Sequence, residues 1–173
     1  MALNWRYQAV GDGTTPVAFS PRISVLLPTG DETRGYGKGA TGYQVNLPVS
    51  FTMGESFVGH FNAGATLTPR ARNVDGDRAT TRDYALGQGL IWLVKPRFNV
   101  MLEYVYTNSE VIAAPGQTQR QGASFISPGI RWAYDFPSGL QVVPGIAVPI
   151  GVGASRGEKA IFLYLSFEHP FTK

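Results

Sequence analysis

The chain has 173 residues, no cysteine, and 15 Lys and Arg against 12 Asp and Glu for a net charge of +3. That length suits one domain, residues 1–173, with a sizeable core; so small a charge, scattered through the sequence, excludes a nucleic-acid footprint, and the missing cysteine excludes disulfide staples and thiolate metal sites. With 21 glycines, 12% aromatic and 16% charged residues and a mean hydropathy of -0.06, the composition excludes membrane-spanning helices but suits an all-β chain whose apolar side is averaged against a polar one.

Alternation begins at once, with Leu3, Trp5, Tyr7 and Ala9 on one face and Asn4, Arg6 and Gln8 on the other. Met1 to Val10 shows no basic start, apolar stretch or small-residue cleavage site, so no signal peptide is present in this sequence. A turn at 11–16 leads to a strand over 17–27, with Phe19, Ile23, Val25 and Leu27 opposed to Ser20, Arg22 and Ser24. A polar, glycine-rich loop reaches Ala40, and a hairpin follows. In its first arm Tyr43, Val45, Leu47, Val49 and Phe51 oppose Gln44, Asn46, Pro48 and Ser50; after a turn at 53–56, Phe57, Gly59, Phe61 and Ala63 oppose Val58, His60 and Asn62. Each arm is roughly ten residues, close to the ~9–11 that a tilted strand needs to cross a bilayer.

A second long loop is predicted over 68–81, then a strand over 82–93 whose alternation is weakest at Gln88, on the apolar side. Strands over 98–107 (Val100, Leu102, Tyr104 and Tyr106 against Asn99, Met101 and Glu103) and 123–135 (Ile126, Ile130 and Trp132 against Phe125, Ser127 and Arg131) flank a loop at 108–121. Strands over 140–150 and from Ile161 follow, the last setting Leu163, Leu165 and Phe167 against Phe162, Tyr164 and Ser166. Long connections (28–40, 68–81, 108–121, 151–159) alternate with short turns, as in outer-membrane barrels with long outer loops and short periplasmic turns. Tyr43, Trp92, Tyr104, Tyr106, Trp132, Tyr134 and Phe167 are expected near strand ends on the outward face, where aromatic rings sit at membrane interfaces.

The expected fold is therefore all-β: an antiparallel up-and-down transmembrane β-barrel, a meander of about nine strands. Bacterial single-chain barrels have even strand numbers. The chain is accordingly expected to lack a signal peptide and at least one N-terminal strand of a larger barrel.

Three stretches, Ile23 to Asp31, Ser127 to Arg131 and Val142 to Ile150, resemble the outer-membrane family named for the meta-pathway of phenol degradation. The resemblance covers most of the chain through simple strand and turn motifs. It implies a barrel in the outer membrane of a Gram-negative bacterium that passes hydrophobic or aromatic compounds, and it transfers no individual site residue.

The polar face supplies the candidate lumen-lining residues: Arg22, Gln44, Asn46, His60, Asn62, Glu103, Phe125, Arg131, Phe162 and Tyr164. Inward charges such as His60, Glu103 and Arg131 are expected to pair with one another as structural filling, since buried charges need partners. Phe125, Phe162 and Tyr164, among Gly87, Gly89, Gly129 and Gly145, leave room beside aromatic surfaces. No enzyme is expected, because His60 and His169 lie in no nucleophile motif. No cofactor or metal is expected either: two distant histidines make a poor zinc site, Asn73 to Asp77 lacks the closing Glu of a calcium loop, and Gly35 to Gly39 precedes a strand rather than a phosphate-binding helix. The expected partners are outer-membrane lipid and small apolar or aromatic solutes. The alternatives are a structural or adhesive barrel working through the Arg/Asp-rich stretch Arg70 to Arg82, and a soluble lipocalin-like barrel with its apolar face inward.

Overall fold

The computed structural model describes residues 1–12 and 14–169; Gly13 of the predicted first turn and residues 170–173 lie outside them. Among the described residues twelve strands form one antiparallel sheet, and the only helical pieces are single 3-10 turns at Glu32–Arg34 and Gly153–Ser155. The strands are β1 (Ala2–Arg6), β2 (Val17–Phe19), β3 (Arg22–Leu26), β4 (Gly42–Met53), β5 (Phe57–Arg72), β6 (Arg78–Lys95), β7 (Phe98–Ala114), β8 (Gln117–Trp132), β9 (Tyr134–Asp135), β10 (Gln141–Ala147), β11 (Ile150–Gly151) and β12 (Phe162–Glu168). Nine of them follow one another across the sheet in the order β1-β3-β4-β5-β6-β7-β8-β10-β12, while β2, β9 and β11 pair with β4, β10 and β8 as short continuations of β3, β8 and β10. This is an up-and-down meander, and β1 and β12 are its two edges.

Two predicted loops are instead the ends of long strands. β5 through β8 run 16, 18, 17 and 16 residues, because the chain reverses in very little space. At Asn73 the side chain accepts the N–H groups of Asp75 and Asp77, and Gly76 adopts a φ of 84°, so a side chain does the work of a turn. Pro115-Gly116, with φ at Gly116 of 73°, closes the second hairpin: proline presets the first corner and glycine accepts the left-handed second. Longer strands also move Tyr104 and Tyr106 from predicted strand ends to the middle of β7.

Proline explains other departures. The strand expected over 17–27 breaks at Pro21, and the one over 140–150 at Pro149, since neither can donate to a ladder. The 151–158 turn depends on Gly151, whose N–H donates to Glu158 O at 2.8 Å and where an added Cβ would fall 1.8 Å from Ser155 O. Gly151→Ala is expected to open this turn at a cost of about 1–3 kcal/mol, visible as faster amide exchange at residue 151.

The two faces of the sheet differ in kind. Cross-strand partners carry Leu47, Ala63, Leu86 and Tyr106 along one row, Phe51, Gly59, Leu90, Leu102 and Pro128 along another, and Met53, Phe57, Trp92, Val100, Ile130, Ile146 and Leu163 along a third. From the level of Tyr84 to that of Trp92 this face presents no Lys, Arg, Asp or Glu among the described residues. Nine strand residues span ~26 Å along the strand. Gln88, between Phe61 and Tyr104, is the amide within the band. At its lower margin Phe57 stacks on Trp92 with ring centroids 6.2 Å apart.

Burial is inverted relative to a water-soluble domain. On the apolar face Leu102 is 50% and Leu163 74% exposed, whereas on the other Ser24 is 1%, Asn46 9% and Ser127 9% exposed; the only buried apolar residues among those described are Ala71, Ala79 and Ala147. Polar side chains crowd one another while apolar ones splay, the pattern of a sheet curved toward its polar side.

Candidate functional site on the polar face

Pairing register places all ten candidate residues on this polar face. Arg22, Asn46, Gly64, Ala85, Thr107 and Ala123 form one cross-strand row, and Gln44, His60, Asn62, Glu103, Phe125 and Arg131 share its parity on their strands. Phe162 lies opposite Ala147, and Tyr164 opposite Gly145, which lies opposite Arg131.

Four of the ten are joined directly. Gln44 Oε1 accepts from Asn46 Nδ2 at 2.9 Å and from an Arg22 guanidinium nitrogen at 3.3 Å, Gln44 Nε2 donates to Thr66 Oγ1 at 3.0 Å, and Asn62 Nδ2 reaches Asn46 Oδ1 at 3.4 Å. Three neutral amides linked in this way fix one another's rotamers and hold the Arg22 guanidinium at the end of the chain. His60 Nδ1 bonds Ser50 Oγ at 2.8 Å.

The expected pairing of inward charges does not occur at mid-sheet. Neither Glu103 nor Arg131 belongs to an ion pair among the described residues; Arg131 Nε instead donates to the amide oxygen of Asn99 at 3.2 Å, once that amide is oriented by its neighbours. Small residues between them leave space. One cavity of about 220 Å3 is walled by Met101, Glu103, Arg131, Phe162 and Tyr164, and another of about 260 Å3 lies over His60, Asn62, Gly87, Gly89 and Glu103. Glu103 borders both. A Cβ on Gly87 would meet nothing within 4 Å, so this glycine keeps room open and is not demanded by a close backbone approach. The surface thus offers aromatic walls, neutral amides with Arg22 at their end, and at mid-sheet two separated, opposite charges.

The ion pairs lie at the strand ends. β6 and β7 stop pairing at Tyr84 and Asn108, and carboxylates take over from the ladder: the Arg82 N–H donates to Glu110 Oε2 at 2.8 Å and the Glu110 N–H to Asp83 Oδ1 at 3.1 Å. Glu110 also meets Arg120 at 3.0 Å and Arg82 at 3.9 Å, and Arg120 lies over the Tyr84 ring, 5.4 Å from its centroid. Lys38 Nζ ties the β3–β4 connection to this junction through Asp83 at 2.6 Å and Thr81 at 2.9 Å. Sequence reading missed this cluster, because Lys38 and Glu110 sit in stretches read as loops, and alternation says nothing about where two strands part. No protein-family model, curated protein or solved structure matches the chain.

Proposed function

We propose that this sheet is the greater part of a transmembrane β-barrel in the outer membrane of a Gram-negative bacterium, through which small apolar or aromatic molecules pass passively. The observation that carries the proposal is the uninterrupted apolar face, matched in register across the sheet, uncovered by any other described element and backed by a more buried polar face. In water that face would be an aggregation site of great extent; in lipid it is the ordinary outside of a barrel. Nine successive antiparallel strands leave β1 and β12 running the same way, so an even barrel closes through an odd number of further strands. The same polarity of faces speaks against the lipocalin-like alternative, which needs its apolar face inward.

Passage itself is supported by the two cavities, the aromatic wall of Phe162 and Tyr164, and the open space at Gly87. Gly87→Phe is expected to leave folding intact, since its side chain enters free space, and to reduce uptake of a small aromatic solute into vesicles several-fold. Unchanged uptake in correctly folded Gly87→Phe would remove the transport reading. The structural or adhesive alternative would then stand on the β5–β6 hairpin, which runs past the apolar band with the Arg and Asp residues of Arg70 to Arg82. Extraction tests the membrane assignment independently: the protein is expected to stay with membranes through alkaline washing and to run faster on a gel unheated than boiled.

A further inference from the structure

We infer that Arg70, Arg72 and Arg78 form a binding station for the phosphate of a lipid headgroup at the upper rim of the apolar band, an inference that rests on the membrane-spanning reading. Its origin is a bulge in β5. Thr68 pairs with Thr81 and the next pair is Ala71 with Ala79, three steps on β5 against two on β6, so the alternation of β5 changes phase there. Unbroken alternation would leave Arg72 on the polar face with Thr68. The bulge turns it to the apolar side, directly opposite Arg78, on the side that Arg82 shares one step above Tyr84.

Arg70, at the bulge, is the only non-glycine residue with positive φ among those described, at 51°. A bulky side chain in that conformation is unfavourable, and bulges re-aim side chains. Two arginines directly opposite one another also repel. Glu32 relieves Arg72 alone, at 3.2 Å, while the side chains of Arg70 and Arg78 have neither an ion pair nor a hydrogen bond. Strain and repulsion are thus concentrated where three guanidinium groups border a surface cavity of about 630 Å3 that also includes Tyr43, Thr41 and Pro69. Tyr43 is half exposed and, in one row with Leu67 and Arg82, borders the top of the apolar band.

A phosphomonoester answers this arrangement. It carries close to two negative charges near neutral pH and three oxygens that match guanidinium forks, and on a lipid it sits at the level of the rim while its acyl chains lie against Leu67, Val45 and Leu47 below. A free anion would satisfy the arginines but gain nothing from the adjoining apolar surface.

The test uses the full chain folded in detergent micelles, titrated with bis-phosphorylated lipid A or with lipid A stripped of its phosphates, and bound lipid counted by native mass spectrometry. Wild type is expected to bind the phosphorylated form about tenfold or more tightly than the stripped form, the scale of one or two charge-assisted hydrogen bonds. Arg70→Gly combined with Arg78→Thr is expected to abolish that preference; glycine accepts the positive φ freely and threonine suits a strand, so folding is preserved. Equal binding of both lipids by wild type, or a preference that survives in the double variant, overturns the inference. Displacement of the lipid by a few millimolar inorganic phosphate overturns the lipid assignment in favour of a free-anion site. A wild-type chain that folds and stays dissolved in water without detergent or bilayer overturns the membrane reading and this inference together, whereas a chain that folds in micelles without phosphate preference overturns this inference alone.

Discussion

Leu102→Arg is expected to destabilise the protein by roughly 2–4 kcal/mol when unfolding is measured in lipid vesicles, the scale found for a cation placed at mid-depth on the lipid side of a barrel. Leu102 lies between Leu90 and Pro128, one row below the middle of the apolar band, and is already 50% exposed. That exposure makes the substitution discriminating. On a water-facing sheet, replacing a half-exposed leucine with arginine changes stability by only about 0.5 kcal/mol, because the guanidinium is solvated and the lost contacts are few. In a bilayer the same side chain must be desolvated or dragged to the interface. Asn62→Asp supplies the control on the other face: it removes a weak donation to Asn46 at 3.4 Å beside open space, so its cost is expected to stay below about 1 kcal/mol.

Glu110→Ala carries the second large effect, expected at about 1–3 kcal/mol. The Glu110 side chain is 8% exposed and accepts from the Arg82 N–H while facing Arg120 and Arg82. Its loss leaves a backbone donor without a partner where β6 and β7 have ceased to pair, and leaves two guanidinium groups without their carboxylate. The arginine side chains are themselves 46% and 54% exposed, so water resolvates them and the cost stays below the ~3–5 kcal/mol of a fully buried pair broken on one side. Because the junction lies above the apolar band, the change should loosen the upper hairpins and spare the band. Hydrogen exchange checks this: protection should fall at Arg82 and around residues 108–120 in Glu110→Ala, with residues 86–92 and 98–106 unaffected.

Period-2 alternation made the meander and the division into two faces legible, since it depends only on the pleat and survives without tertiary context. Residues 84–92 show why it works: every odd position there is Ala, Gly or Ile and every even one is large or amide-bearing. The bulge at Thr68 to Ala71 shows where it fails. A change of phase costs one residue and leaves no trace in composition, so alternation alone does not place the arginines above Tyr43 on a strand. Length is hidden for a related reason: Arg and Asp over 68–81 point to a loop by polarity, but a strand that runs past the apolar band has no reason to stay apolar, and Asn73 with Gly76 closes the hairpin in a few residues. Within the site, alternation placed Glu103 and Arg131 on a common face yet could not say that they stand apart, because their separation depends on diagonal register between β7 and β8. The amide chain from Arg22 to Asn62 likewise needed the pairing of β3, β4 and β5, which alternation within one strand does not encode.

Spin labels at positions 102 and 103 of the chain folded into vesicles test whether one face of this sheet meets lipid and the other an aqueous interior. Relaxation of each label is measured with oxygen, which concentrates in the lipid, and with a water-soluble nickel chelate. The label at 102 should respond chiefly to oxygen and the label at 103 chiefly to the chelate, an inversion between adjacent residues that only a strand with one lipid-facing side produces. Equal response of the two labels to both agents, or the chelate reaching 102 more readily than 103, would contradict it.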